Sequence, residues 1–179
     1  ALDGKQHLRH VACFRKEDLW RLRGAKYVQS DLGDTFREIK QLLKIRPVLF
    51  SGTPCQVDGL YRYLGCRPET LTTCDLVCHG VPSPGVWEDM ARSIEKRKGK
   101  GLQAVRFRNK VTGWKDSHFT TVYDDGPVDT APLFRTEYGR AFGRALFLRP
   151  RCPRRAYTNL NPPPHFTLSV FSGPGGDQP

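Results

Sequence analysis

The chain has 179 residues, 38% of them apolar, and 29 Lys and Arg against 18 Asp and Glu give it a net charge of +11. That length suits one domain, or one and a half, and is long enough to bury a core without disulfide staples. No run of about 18 apolar residues is present to cross a membrane as a helix, and no helix-turn-helix, RNA-recognition or zinc-finger pattern accompanies the charge, which argues against nucleic acid and leaves a solvated basic surface or attraction of anionic cofactors.

Taken in order, Gln6–Arg15 mixes apolar and basic residues and predicts a strand. Residues 15–23 carry Leu19 and Leu22 at helical spacing, with Gly24 as a stop. Lys26–Ser30 is a short extended stretch, in which Lys26, Val28 and Ser30 face one way and Tyr27 and Gln29 the other. From the residues alone it is a polar strand. Asp31–Lys44 predicts an amphipathic helix with Phe36, Ile39, Leu42 and Leu43 on one face, ended by Pro47. Val48–Phe50 predicts a buried strand, Gln56–Leu64 a short helix closed by Gly65, and Leu71–Val77 a second strand. Pro84–Lys98 predicts a helix with Val86, Met90 and Ile94 along one stripe and a basic C-terminal end. Leu102–Arg108 and Ser117–Tyr123 alternate as strands, and Asp124-Asp125-Gly126 is a turn signal. Phe134–Leu146 predicts a helix. Pro162–Pro164 and Gly173–Pro179 are rich in Pro and Gly, and the end is expected to fray. The fold class that follows is α/β: a partly parallel sheet with flanking helices plus an antiparallel extension. The expected domain covers residues 1–161, and a Pro/Gly-rich tail covers 162–179.

The chemistry concentrates in residues 48–83. Two apolar runs each end in a loop with a cysteine, Cys55 in Gly-Thr-Pro-Cys-Gln and Cys78 in Cys-His-Gly-Val-Pro-Ser. A βαβ unit places both loops at one edge of a parallel sheet, where ligands of open α/β sheets bind. Two thiols and two glycine turns at one edge suggest a redox or metal site; the plainer alternative is a pair of buried structural thiols. Gly52-Thr53-Pro54 leads into a helix whose first N–H groups can hold a phosphate or a flavin ring edge, with Thr53 and Gln56 adding hydrogen-bond capacity. Equally, many tight turns use Gly and Pro. His79 and Gly80 form the partner loop, with His79 either a structural hydrogen-bonding residue or a functional one. Cys74 is expected in the core, and Cys13 and Cys66 are expected to be structural. Arg106 and Arg108 share a strand face that meets either solvent or an anionic cofactor tail. Trp114 fills a core gap or stacks on a ring. With no secretory signal, reduced thiols and a cytoplasmic location are expected. No Ser/His/Asp triad, Walker loop or His-Glu-x-x-His appears, so hydrolysis has little support.

Gly-Thr-Pro-Cys-Gln at 52–56 and Asp-Leu-Val-Cys-His-Gly-Val-Pro-Ser-Pro at 75–84 resemble the coenzyme F420 hydrogenase/dehydrogenase beta-subunit family of iron–sulfur flavoproteins. Residues 23–32, 106–114 and 148–161 add similar segments in family order. The resemblance implies a module relaying electrons between a 4Fe–4S cluster, FAD and a soluble acceptor such as coenzyme F420, beside an electron-donor or electron-acceptor subunit. It implies Cys55, Cys78 and Cys152 as cluster ligands; Cys152 matches the first of a Cys-x-x-Cys pair whose second position here is Arg155. For the flavin it implies Lys26, Tyr27, Gln29, Ser30, Gly52, Thr53, Gln56, His79 and Gly80. The Lys26–Ser30 signature and the Gly52 turn carry most of that set. The chain, which opens on Ala1 and lacks the family's ferredoxin-like front and later C-terminal portion, is expected to be a fragment. Two other readings stay open: a non-catalytic basic α/β interaction module, a decayed relative, and a structural zinc site.

Overall fold

The computed structural model describes residues 7–111, 113, 117–152 and 164–169. Trp114, Lys115, Arg155 and the 170–172 segment lie outside the described residues. The chain divides into two compact units, each assembled from two stretches of sequence: Ala1–Gly33 with Gly80–Arg154, and Asp34–His79 with Arg155–Pro179. Helices and strands are mixed, with one sheet parallel and one antiparallel. This is the α/β class read from the sequence.

The unit of Asp34–His79 and Arg155–Pro179 is built on a three-stranded parallel sheet. Helix α1 runs over Thr35–Leu42, shorter at both ends than its periodicity predicts. The chain is held in a turn just before it: Gly33, at φ +44°, donates its N–H to Asp31 Oδ1 at 2.9 Å. Strand β1 (Val48–Gly52) leads through Thr53 into helix α2 (Pro54–Leu64), and strand β2 (Leu71–Leu76) runs parallel to β1 with Gly52 opposite Asp75. Proline at the first helical position and Gly65 in the left-handed region just past the end fix the limits of α2. Ile39, Phe50, Val57 and Leu60 form the buried side of this unit, and Phe36 packs edge-on against Phe50 at 6.0 Å.

Strand β2 departs from expectation. Thr73 and Asp75 face inward with Leu71, while Cys74 is only half-buried, so Cys74 is not the core residue of this strand. The reason is register: side chains alternate by two, and Leu71 sets which set is inward.

The other unit holds helix α3 (Pro84–Lys98), strand β3 (Leu102–Asn109), strand β4 (His118–Tyr123), strand β5 (Val128–Pro132) and helix α4 (Glu137–Gly143). The strands form an antiparallel sheet in the order β3-β4-β5, joined between β4 and β5 at the Asp124-Asp125-Gly126 turn. Leu102, Val105 and Phe107 are all buried although their spacing breaks strict alternation; a register shift between Leu102 and Ala104 restores the face. Ser83 caps α3 by accepting from Val86 N–H. The buried face of α3 is Trp87 and Ala91, with Met90 and Ile94 beside them, rather than a stripe starting at Val86.

Trp87, Phe107, Phe119 and Tyr138 are stacked into one aromatic cluster with ring centroids 4.8 to 6.4 Å apart, mostly edge-to-face. The helix expected over 134–146 is broken in two. Leu133–Arg135 is a 3-10 turn, and Thr136 caps α4 by accepting from Gly139 N–H at 3.0 Å. The segment at 16–22 is also a 3-10 helix, not an α-helix. The strand expected over 6–15 reduces to a bridge between Arg9 and Asp31, because no longer partner runs beside it.

Strand β6 (Phe166–Leu168), in the first-described unit, was not legible in the sequence, being a three-residue run after prolines; it pairs with β2 from Cys74 to Leu76.

An ion pair ties the end of α3 to β5. Lys98 Nζ is 2.7 Å from Asp129, whose other neighbour is Tyr123 Oη at 3.1 Å. The hydrogen bond from Lys98, then the one from Tyr123, holds the Asp129 carboxyl below its ordinary 3.8. A folded value below the unfolded one means the contribution is complete above about pH 5 and is lost as pH falls through the folded value. Asp129→Asn should therefore flatten the acid limb of a melting-temperature series from about pH 6 down to pH 3, an effect that fades with added salt because the pair is exposed.

Candidate functional site

Parallel pairing of β1 and β2 sends both strand ends to one edge of their sheet. The loop after β1 places Gly52 and Thr53 there and puts Cys55 in the first turn of α2. The chain leaving β2 passes Val77, Cys78 and His79. Cys55, Cys78 and His79 are exposed at their positions. The two cysteine loops thus share an edge as the strand–helix–strand pattern requires.

The turn is built tightly. Gln56 Oε1 accepts from the Thr53 N–H at 2.9 Å, the returning half of a capping box. Thr53 Oγ1 lies 3.2 Å from Cys55 Sγ. A Cβ on Gly52 would stand 3.0 Å from Gln56 Oε1 and 3.1 Å from the Phe50 ring, so these two side chains already close this corner and a side chain here would press on both.

Beneath the turn is a polar stripe that sequence reasoning missed. Tyr61 Oη and Thr73 Oγ1 are 2.7 Å apart. Thr73 N–H donates to His165 Nδ1 at 3.1 Å, which makes that nitrogen an acceptor and leaves the ring proton on Nε2. Asp75 is 4% exposed, and its Oδ1 has no hydrogen-bond partner. Such an orphaned buried oxygen costs on the order of 1–3 kcal/mol, more when charged. A charged residue ending a strand otherwise made of Leu, Thr and Cys was the available signal.

The remaining residues of the expected set lie in the unit of Ala1–Gly33 and Gly80–Arg154. Lys26 Nζ donates to the carbonyls of Arg23 at 2.7 Å, Gly24 at 3.0 Å and Leu22 at 3.3 Å, closing the end of the 3-10 helix. Burial holds its ammonium below the usual range. The Tyr27 ring stacks on Phe142 at 4.5 Å, and its carbonyl accepts from Tyr138 Oη at 2.6 Å. Burial pushes the Tyr138 phenol well above its ordinary value. Ser30 Oγ is 2.8 Å from His10 Nδ1. Gln29 instead lines a cavity of about 330 Å³ with His7, Arg9, Asp31, Trp87 and Glu88 among its walls.

Gly80, at φ +126°, has no room for a side chain: its Cβ would meet Leu148 Cδ1 at 2.7 Å and Cys152 Cβ at 3.1 Å. That contact places the half-buried Cys152 against the Gly80 backbone. None of the six cysteines is in a disulfide. Cys66, expected to be structural, is exposed just past the end of α2, where Gly65 turns the chain outward; Cys13 is half-buried with its thiol 3.7 Å from the Asp18 carbonyl.

Two cofactors are implied, and the residues fit them differently. The flavin is matched by the Cys55 N–H at the start of α2 and the orphaned Asp75 oxygen. The cluster is matched in the kind of donor but not in number: iron–sulfur clusters take four thiolates as a rule, and among the described residues no group of three or more His, Cys, Asp or Glu stands together to hold a metal. Among the described residues, too, no helix is long and apolar enough to cross a membrane.

Comparison with known proteins bears on the class. The F420-reducing [NiFe] hydrogenase complex from Methanosarcina barkeri, solved as a xenon derivative, contains a chain 20% identical to this one, with a TM-score of 0.49. The match covers 80% of this chain and 47% of that one, so the present chain spans about half the length of its counterpart. No curated protein matches. Residues 45–156 match the family described as the C terminus of the coenzyme F420 hydrogenase/dehydrogenase beta subunit. That span is more than half of the chain and takes in both glycine–cysteine loops and Cys152, and by it the chain belongs to the coenzyme F420 hydrogenase/dehydrogenase beta-subunit family.

Proposed function

We propose that this chain is an iron–sulfur flavoprotein oxidoreductase module that relays electrons between a 4Fe–4S cluster, FAD and a soluble acceptor such as coenzyme F420. Family membership supports the redox class. The observation that carries the reading is the delivery of Gly52-Thr53-Pro54-Cys55 and Cys78-His79 to one edge of a parallel sheet. Ligands of such sheets bind at that edge.

A bound flavin supplies exchange of single electrons on one side and of a hydride on the other. The chain's own residues hold and orient it. Gly52 adds no side chain of its own to the corner, and the Cys55 N–H at the positive end of α2 favours an anionic group. Thr53, Gln56 and His79 add polar contacts at the same edge. Lys26, Tyr27, Gln29, Ser30 and Gly80 are proposed for the flavin on the family resemblance. The net charge of +11 favours approach of anionic cofactors. Cys55, Cys78 and Cys152 are proposed as the chain's thiolate donors. A family named for a beta subunit points to an electron-donor or electron-acceptor partner protein, and unbridged thiols suit the cytoplasm.

The test is direct. The chain is expressed anaerobically with iron and sulfide, and its visible spectrum is recorded after addition of FAD. Broad cluster absorbance with bound-flavin bands is the expected result. A folded, colourless protein would instead favour the non-catalytic interaction module. Tightly bound zinc without colour would point to a structural metal site.

A further inference from the structure

We propose that Asp75 is the acceptor that anchors a neutral N–H or O–H donor of the cofactor bound at the sheet edge; this rests on the flavin reading above. Asp75 is the last inward residue of the central strand β2, paired across the sheet with Gly52 on one side and Thr167 on the other. It shares the face of Thr73, which α2 covers through Tyr61. Its neighbour Gly52 has no side chain, and Gln56 reaches back over that corner from the first turn of α2. The carboxylate therefore lies beside a corner that Gln56 and the Phe50 ring close, and a bound donor reaches it where Gln56 swings aside.

Three features separate Asp75 from a structural acid. It is 4% exposed, and Oδ1 has no hydrogen-bond partner. None of the ion pairs among the described residues involves it. Structural needs on this stripe are already met without it, since Thr73, Tyr61 and His165 satisfy one another. A carboxylate can only accept, so what it fixes must donate. Both the ring imide and the sugar hydroxyls of a dinucleotide flavin meet that requirement. An oxygen closed from water gives such a donor no solvent competition, and the flexible Gln56 side chain is the group beside it that can move.

The test uses the full chain as wild type, Asp75→Val and Asp75→Ala. Melting is followed without ligand, and binding is measured by fluorescence for FAD, for lumiflavin (ring alone) and for ADP (sugar and phosphates alone). Removing an orphaned acceptor should raise the ligand-free melting temperature by about 2–5 °C in Asp75→Val. The same change should weaken FAD roughly tenfold to a hundredfold. Loss confined to lumiflavin identifies the ring as donor, and loss confined to ADP identifies the sugar. If Asp75→Val does not fold, Asp75→Ala, which equally lacks an acceptor and adds no bulk, decides the matter. Equal FAD affinity in wild type and the variant without an acceptor overturns the proposal alone. So does a folded, ligand-free Asp75→Val that melts well below wild type, because Asp75 then has a partner within the chain. A folded wild type that binds none of the three probes overturns the flavin reading, and this proposal with it.

Discussion

Gly139→Ala is expected to destabilise severely the unit of Ala1–Gly33 and Gly80–Arg154. A Cβ at this position would overlap the Leu133 carbonyl oxygen and lie 2.6 Å from its carbon. Those are backbone atoms, and they cannot rotate aside as a side-chain tip can. Leu133 itself is 1% exposed and is fixed by its N–H to the Ser117 carbonyl at 2.8 Å. Relief must come from α4, which would carry Tyr138 out of the cluster with Trp87, Phe107 and Phe119. Overpacking costs of about 1–3 kcal/mol are the floor, and loss of the buried aromatic packing takes the expected total to roughly 3–5 kcal/mol. Domains are stable by only about 5–15 kcal/mol, so a large share of the margin goes. Gly85→Ala is the matched control. It lies in the first turn of α3 with nothing within 4 Å of a built Cβ, and it should gain about 0.4–1 kcal/mol. Urea melts of both variants check the pair. A Gly139→Ala midpoint within error of wild type would show that α4 moves away from Leu133 without cost.

The second large effect concerns the thiols. Cys55→Ala and Cys78→Ala should each leave reconstituted chain with little or no cluster iron while the fold persists. Both side chains are exposed, so neither truncation opens a core cavity, and surface changes of this kind normally cost less than about 0.5 kcal/mol. Cys66→Ala is the internal control. It is equally exposed, but it follows the far end of α2, and a helix of 11 residues is about 16 Å long. It should keep full iron and full colour. Iron and acid-labile sulfide per chain, with far-ultraviolet circular dichroism for the fold, make the measurement. Unchanged iron in Cys55→Ala or Cys78→Ala would remove that residue from the donor set. Loss on Cys66→Ala as well would indicate iron held non-specifically by surface thiols.

What could be read from the sequence follows from the range of the forces involved. The strand–turn–helix–strand pattern over 48–76 was legible because the apolar runs, Pro54 and Gly65 all act locally. Helix α3 was legible for the same reason, from Pro84 at its start and the basic residues at its end. Its buried stripe was misplaced by one position, because apolar spacing admits Val86 while only packing against Phe107 and Tyr138 selects Trp87. The break at Thr136 was missed because it depends on the close approach of Gly139 to Leu133.

The sequence by itself determined the family, the α/β class and the placing of Cys55 and Cys78 at the ends of two strands, since motifs and periodicity are properties of neighbours along the chain. Tertiary structure alone decided the face of β2, and with it the burial of Asp75 and the half-exposure of Cys74, because alternation fixes which residues share a side but not which side is covered. It also decided that His165, 92 residues along the chain, completes the bonding of Thr73, and that Gly80 must lack a side chain to admit Leu148 and Cys152. Such contacts link residues distant in sequence, and local pattern carries no record of them.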